Sequence, residues 1–286
     1  MNLTSLSHVR AWCIENGFHP NKALGQNFLV DRHALEAIAA AAEIDPAREP
    51  ARILEIGPGL GVLTEALLAT GVEVVAVEKD RRLAERLAGA LGNPPNLRVV
   101  TADALTVDWP ELLKPGFQAC VSNLPYSVGT RILLDVAFRE GAPDRFVLLV
   151  QTEVAQRFAA PPGTGDRGQA GVWLQLDYDV TLVRTVEPAC FWPRPEVEST
   201  VVRLDRHLCP LTPAERSLYF ALTRQAFMHR RKQLGSLLRR QSGPLACDDV
   251  TLAERLAATG LDPRIRPEEL TVLQWERLAR SYVSNQ

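Results

Sequence analysis

Residues 52–62, Arg-Ile-Leu-Glu-Ile-Gly-Pro-Gly-Leu-Gly-Val, narrow the folding options of this chain more than any other stretch. A short apolar run at 53–56 leads into glycines at three alternate positions, Gly57, Gly59 and Gly61. Leu63, Ala66, Leu67 and Leu68 then recur at helical spacing. A strand, a glycine turn and a helix in that order let backbone N–H groups come close to a ligand, because glycine has no side chain and accepts left-handed dihedrals. A dinucleotide fingerprint would carry its third glycine at position 62, where Val62 stands. Glu55 precedes the glycines, and a second apolar run at 74–77 ends in Glu78. A carboxylate there, on the next strand of a parallel sheet, is placed to accept both hydroxyls of a ribose.

Past the glycine turn the pattern alternates. Residues 81–91 read as helix, 97–101 and 118–122 as strands, 129–138 as helix and 146–150 as a continuous apolar strand. Such alternation predicts a parallel sheet with helices on both faces. Residues 174–183 and 200–204 read as two more strands with no room for a helix between them, an antiparallel hairpin that would close a seven-stranded sheet. Upstream, 20–31 is a polar loop that carries Phe28 and Leu29, and Asp31 is placed to cap a helix bearing Leu35, Ile38, Ala39 and Ala42. Residues 161–168, Pro-Pro-Gly-Thr-Gly-Asp-Arg-Gly, read as a flexible loop. From Ala214 onward every apolar run has helical period, for example Leu218, Leu222 and Phe227, or Leu270, Leu273, Trp275 and Leu278. The expected division is therefore a ligand-binding α/β domain at 1–207 and a small helical domain at 208–286.

At 286 residues the chain is long enough for one large and one small domain. No apolar run approaches the roughly 20 residues needed to span a bilayer. The N-terminus lacks the apolar core of a secretion signal. Cys13, Cys120, Cys190, Cys209 and Cys247 are odd in number, scattered and never in a Cys-x-x-Cys pair. They read as reduced thiols of a cytoplasmic protein, neither metal ligands nor a disulfide frame. The net charge of −2 hides an asymmetry: 1–204 carries 19 basic and 25 acidic residues, whereas 205–286 carries 13 and 9. A basic C-terminal part suggests a face that meets a polyanion.

Asp103 follows the strand at 97–101, where its carboxylate can accept from an exocyclic amino group of a bound adenine. With the glycine turn and Glu78 it resembles the S-adenosylmethionine site of a class I methyltransferase, NAD being the alternative ligand. Asn123-Leu124-Pro125-Tyr126 follows the strand at 118–122 on the ligand-binding rim of the sheet. An amino group on a base is a poor nucleophile because its lone pair is delocalised into the ring. Two acceptors, the Asn123 side-chain carbonyl and the Leu124 backbone C=O, can hold its two hydrogens. That favours a more pyramidal nitrogen with its lone pair toward a methyl donor. Pro125 stiffens the turn, and Tyr126 offers a ring on which an unstacked base can lie. No general base is required, since the nitrogen becomes acidic once methylated.

Taken in order along 22–238, the motifs resemble the bacterial small-subunit (16S) rRNA adenine N6,N6-dimethyltransferase family. That family is related to the large-subunit rRNA methylases of macrolide resistance and to the mitochondrial dimethyltransferase-like transcription factors. The matching segments begin with Leu24-Gly25-Gln26-Asn27-Phe28-Leu29, Glu55-Ile56-Gly57-Pro58-Gly59-Leu60-Gly61, Glu78-Lys79-Asp80 and Asn123-Leu124-Pro125-Tyr126. Val150-Gln151-Thr152-Glu153-Val154-Ala155-Gln156-Arg157, Phe191-Trp192-Pro193-Arg194-Pro195-Glu196-Val197 and Phe227-Met228-His229-Arg230-Arg231-Lys232-Gln233-Leu234 complete them.

The resemblance implies an α/β class I methyltransferase with a Rossmann-like seven-stranded sheet and a small C-terminal helical domain that binds RNA. Asn27 and Leu29 would wrap the methionine end of S-adenosylmethionine, with Gly57 and Gly59 close to it. Glu78 would hold the ribose, Asp103 the cofactor's adenine, and Asn123 would border both cofactor and substrate. The target adenine would lie in the grip of Asn123, Leu124, Pro125 and Tyr126, with Phe191 as a second ring over it or else a core aromatic. Arg224, Arg230, Arg231 and Lys232 would contact RNA phosphates, with Arg224, Arg231 and Gly235 on one helical face. The implied reaction is dimethylation of two adjacent adenines in a hairpin loop near the 3′ end of 16S rRNA within the 30S subunit. The expected enzyme is a cytoplasmic monomer without a metal. Methylation of a large-subunit adenine, or an RNA- or DNA-binding assembly factor that keeps the fold without turnover, are the alternatives. The sequence departs from the family at Ser127-Val128-Gly129, where Asn-Ile-Ser is usual, at Thr152 in place of Lys, and in the loop before Gly171.

Overall fold

The computed structural model describes residues 3–21 and 25–283; Leu24, which opens the first matching segment, and Lys22 lie outside the described residues. Its strands are β1 (Phe28–Leu29), β2 (Arg52–Ile56), β3 (Glu73–Glu78), β4 (Leu97–Thr101), β5 (Ala119–Asn123), β6 (Arg145–Gln151), β7 (Tyr178–Val186), β8 (Phe191–Trp192) and β9 (Ser199–Arg206). Seven of them form one sheet in the order β4-β3-β2-β5-β6-β9-β7. Strands β2 to β6 run parallel and β9 runs antiparallel to β6. The apolar runs of β2, β5 and β6 are buried almost throughout, as strands covered on both faces must be.

The order reverses between β2 and β5, and there the sheet parts. The β2–β3 ladder continues to Ile56 opposite Val77, but the β2–β5 ladder ends at Leu54 opposite Cys120. The Ser122 hydroxyl then takes the Ile56 N–H at 2.8 Å in place of a ladder bond. A crevice at the C-terminal ends of the strands, at such a switch point, is where open α/β sheets bind ligands.

Helix Arg32–Ala42 starts at Asp31, whose Oδ1 accepts the Ala34 N–H at 2.7 Å, as the sequence leads one to expect. It ends at Glu43 in a left-handed conformation, φ 44°. The Glu43 carboxylate takes Arg145 at 2.9 Å and Arg203 at 2.6 Å, and both arginines also reach Asp205 at 2.6 Å. This four-membered network ties the end of the helix to β6 and β9.

Two features of the strands differ from expectation. Residues 174–183 do not form one strand: Gln169–Asp177 is a helix and β7 begins at Tyr178. Val172, Leu174 and Leu176 are buried while Trp173 and Gln175 are half-buried, so the helix is enclosed on every side. Its apolar pattern therefore mimics the alternation of a strand. Gly171 permits the closeness, since a Cβ there would lie 2.4 Å from the Arg157 carbonyl oxygen. The second feature is the antiparallel pair β1–β8, which sets Phe28 opposite Trp192 and Leu29 opposite Phe191.

The chain divides into two compact units, residues 1–155 with 179–206 and residues 156–178 with 207–286. The second unit thus takes in 156–178, which the expected division left with the first. Its helices Pro213–Met228, Leu234–Leu238, Asp249–Thr259 and Val272–Val283 close over Leu218, Leu222, Leu256, Trp275 and Leu278, and Val172 and Leu176 belong to the same core. The Tyr219 hydroxyl donates to the Val172 carbonyl at 2.9 Å, and Arg216 pairs with buried Asp177. Among the described residues no helix is long and apolar enough to cross a membrane.

Candidate active site

The crevice between β2 and β5 holds the glycine turn. Gly57, Gly59 and Gly61 all have positive φ, at 70°, 59° and 90°. A Cβ at Gly59 would meet the Phe28 ring at 3.0 Å, and one at Gly61 would lie 2.7 Å from Leu87 Cδ1. At Gly57 it would point into the gap before Pro125 Cδ and the Asn123 carbonyl, 3.9 and 4.0 Å away. The positive φ favours glycine at all three positions and the Phe28 ring crowds any side chain at Gly59, while the first glycine leaves open the ground between the two motifs.

Glu78, at the end of β3, is buried and its carboxylate accepts the Gly59 N–H at 3.1 Å and the Asp80 N–H at 2.8 Å. Those two bonds fix its plane beside the turn and use half of its acceptor positions. Burial raises its pKa, against the pull of these backbone donors. Asp103 lies past β4 with Lys79 Nζ at 2.8 Å and the Leu105 N–H at 2.9 Å. The Lys79 ammonium holds the Asp103 carboxyl below the usual range. Gln26 donates to Asp80 at 3.3 Å and accepts the Asn21 N–H at 2.7 Å, which links the 20–31 loop to the end of β3.

Glu55 is buried beneath the turn, and its carboxyl is pushed up to about 8, chiefly by burial and further by Glu78, with nearby Thr64 opposing. Neither Glu55 Oε2 nor the Thr64 hydroxyl has a hydrogen-bond partner of good geometry. A raised folded pKa means stability that is complete below the unfolded carboxylate value and lost as pH rises through about 8. Glu55→Gln should therefore remove about one proton of pH dependence. Its thermal midpoint should fall less than the wild type's between pH 5 and pH 8.5. Parallel midpoint curves would contradict the protonated Glu55.

The Asn123 motif closes the other side of the crevice. Asn123 Nδ2 donates to the Asn27 carbonyl at 2.9 Å, which leaves its Oδ1 as the acceptor for an incoming group. Pro125 C=O takes the N–H groups of Val128 and Gly129, starting helix Gly129–Ala137 directly after the motif. Gly129 packs on Leu124, and a Cβ at 129 would lie 3.1 Å from Leu124 Cβ. The family's usual Ser at this position would push Leu124 by a few tenths of an ångström. The Tyr126 hydroxyl lies 2.5 Å from the hydroxyl of buried Ser199.

One cavity gathers these groups. Asn27, Leu29, Gly57, Gly59, Glu78 and Asp103 line it, with Asn123, Leu124, Pro125 and Tyr126 on the β5 side. Phe191 does not: it is buried behind Leu29 in the core that also holds Ile38, Val121 and Val201. The sequence reading gave no role to Lys79, Gln26, Ser122 or Ser199. Lys79 and Gln26 stood inside quoted motifs, but no local pattern marks the two serines, whose partners lie 66 and 73 residues away. Among the described residues no group of histidine, cysteine, aspartate or glutamate is arranged to hold a metal.

In the second unit, Arg224, Arg231 and Gly235 do not share a helical face as expected. Helix Pro213–Met228 stops at Met228, 229–233 form a turn, and a new helix starts at Leu234. The Leu234 and Gly235 N–H groups go to the carbonyls of Ile265 and Pro263, both at 2.8 Å, so this stretch is anchored across to 263–265. Gly235 is buried, while Arg230, Arg231 and Lys232 are exposed on the turn. Arg230 reaches the Gly165 carbonyl at 2.9 Å, and the Arg224 guanidinium lies 5.4 Å from the centre of the Trp173 ring.

Comparison with known proteins adds a family, two relatives and two solved structures. Residues 17–254 match the family model described as ribosomal RNA adenine dimethylase. The chain is 39% identical over 269 residues to a ribosomal RNA small subunit methyltransferase A of Opitutus terrae, covering 92% of this chain and 93% of that one. It is 37% identical to the protein of the same name from Moorella thermoacetica, over 93% and 94% of the two chains. Among solved structures it is similar to the 23S rRNA methyltransferase ErmE, with a TM-score of 0.67 and 28% identity over 89% of this chain and 99% of that one. A dimethyladenosine transferase from Plasmodium falciparum shares the fold with a TM-score of 0.74 at 24% identity, over 87% and 95% of the chains.

Proposed function

The chain belongs to the ribosomal RNA adenine dimethylase family, and from that premise we propose that its substrate is 16S rRNA within the 30S ribosomal subunit, at two adjacent adenines of a hairpin loop near the 3′ end. The activity itself is N6,N6-dimethylation of adenine in ribosomal RNA with S-adenosylmethionine as methyl donor. The small-subunit assignment is supported by the names of the relatives that match over nearly the whole chain, and by Leu124, where the macrolide-resistance methylases more often carry Ile. A ribosomal substrate goes with action in the cytoplasm, and the enzyme would act as a monomer.

The residues of the crevice fit the cofactor. Glu78 keeps acceptor positions for two ribose hydroxyls after taking its two backbone donors. Asp103 keeps room for an amino group beside Lys79, and Gly57 leaves the gap that a Cβ would fill. Asn27 and Leu29 would form the wall of the methionine end, and Glu55 Oε2 lies buried on the same cavity without a partner. When bound, S-adenosylmethionine supplies an electrophilic methyl group. The chain's own part is to present the nucleophile. Asn123 Oδ1 and the Leu124 carbonyl would accept the two hydrogens of the target amino group, turning its lone pair out of conjugation. Tyr126 would carry the base on its ring, and Pro125 keeps the turn stiff. The orientation of the Asn123 amide, fixed by its bond to Asn27, carries this reading.

Incubation of under-methylated 30S subunits with the protein and labelled S-adenosylmethionine tests it. Nucleoside mass spectrometry should find labelled N6,N6-dimethyladenosine in 16S rRNA. Under-methylated 50S subunits are incubated in parallel; label in these and none in the 30S subunits would move the substrate to the large subunit.

RNA affinity should also depend on Arg230, Arg231 and Lys232, the exposed cations of the 229–233 turn. Neutralising all three should weaken binding and lower the slope of log affinity against log salt by about 2–3, because fewer counterions are released. An unchanged slope would make the patch a solvated face with no role in binding.

A further inference from the structure

We infer that Ser199 is a positioning residue for methyl transfer, its hydroxyl fixing the long axis of the Tyr126 ring and through it the seat of the target adenine. This rests on the reading of Tyr126 as the ring beneath that base. The two hydroxyl oxygens are 2.5 Å apart. Ser199 is fully buried, so water does not compete for the contact. It opens β9 opposite Gln151, at the end of β6, while Leu149 of β6 stands opposite Asn123. Two strand ladders therefore hold the Ser199 backbone at a set place relative to Asn123. Tyr126 itself sits in a turn, and its ring has two side-chain torsions of its own. The turn holds the Cβ end and Ser199 holds the hydroxyl end, so the long axis of the ring cannot swing away from its place beside Asn123. Burial keeps the phenol pKa above its ordinary value, and the hydroxyl retains its proton for this bond.

A stacking surface tolerates rotation of the base upon it, but displacement at the amino nitrogen needs a narrow approach angle. Loss of the Ser199 hydroxyl should therefore slow transfer and leave cofactor binding alone. The test is a double-mutant cycle of Ser199→Ala and Tyr126→Phe, read by single-turnover methyl transfer to under-methylated 30S subunits. Each single change should slow transfer by about three- to tenfold, the size of one neutral hydrogen bond. The double variant should be no slower than the slower single, with S-adenosylhomocysteine affinity unchanged in all three. A double variant nearer to the product of the two losses overturns the inference, because Ser199 would then act independently of the ring. Wild-type transfer by Ser199→Ala overturns it as well. Should Ser199→Ala not fold, Tyr126→Phe alone carries the test, since it removes the other half of the same contact: wild-type transfer by it overturns the inference. Tyr126→Ala is the control for the underlying reading: if it transfers at the wild-type rate, the role of Tyr126 fails with it. A slow Tyr126→Ala beside an unaffected Ser199→Ala refutes Ser199 alone.

Discussion

Asn123→Ala should lower single-turnover methyl transfer by roughly 10²–10³-fold while cofactor affinity stays near that of the wild type, the loss typical of a hydrogen bond that strengthens toward the transition state. The Asn123 amide donates to the Asn27 carbonyl, so its Oδ1 is the side-chain atom able to take a hydrogen from the target amino group. Removing the side chain leaves the Leu124 carbonyl as sole acceptor, and one acceptor cannot hold both hydrogens. The nitrogen then keeps its lone pair in the ring. Asn123→Asp is the informative companion. It keeps an acceptor but loses the donor to Asn27, so it should fall between wild type and Asn123→Ala. Transfer to 30S subunits with saturating cofactor, and S-adenosylhomocysteine affinity by calorimetry, separate the two steps. Wild-type transfer by Asn123→Ala would end this account of the motif.

The parts of this site that were legible in the sequence are those whose requirements are local. Gly57, Gly59 and Gly61 need positive φ, a demand that acts within the turn itself. Glu78 and Asn123 stand at strand ends that the apolar runs mark clearly. The misread parts depend on what packs from elsewhere. Helix Gln169–Asp177 is enclosed on all sides, which erases the 3.6-residue period and leaves an alternation that looks like a strand. The break after Met228 is set by Ile265 and Pro263, which take the N–H groups of the next turn, and nothing in 224–235 announces it. Phe191 reads equally as a base-stacking ring or a core aromatic, and its pairing in β8 opposite Leu29 decides where it lies. The Tyr126–Ser199 contact joins residues 73 apart and has no local signature.

Glu78→Ala should weaken S-adenosylhomocysteine binding by about two orders of magnitude or more. Hydrogen bonds to a charged group contribute roughly 1.5–3 kcal/mol each, and two ribose hydroxyls would lose their acceptor together. The change also reaches the turn itself. The Gly59 and Asp80 N–H groups, at 3.1 and 2.8 Å from the carboxylate, would be left without their acceptor. The glycine turn should loosen, and the unliganded thermal midpoint should fall as well. Glu78→Gln separates the two effects. Its single carbonyl can still take one backbone N–H but cannot serve both backbone donors and both hydroxyls, so the affinity loss should be smaller and the midpoint closer to that of the wild type. Thermal shift with S-adenosylmethionine, S-adenosylhomocysteine and NAD provides the ligand control. The first two should stabilise the wild type, NAD should not, and Glu78→Ala should respond to none of them. Undiminished S-adenosylhomocysteine affinity in Glu78→Ala would remove Glu78 from the ribose site and leave the carboxylate only its bonds to Gly59 and Asp80.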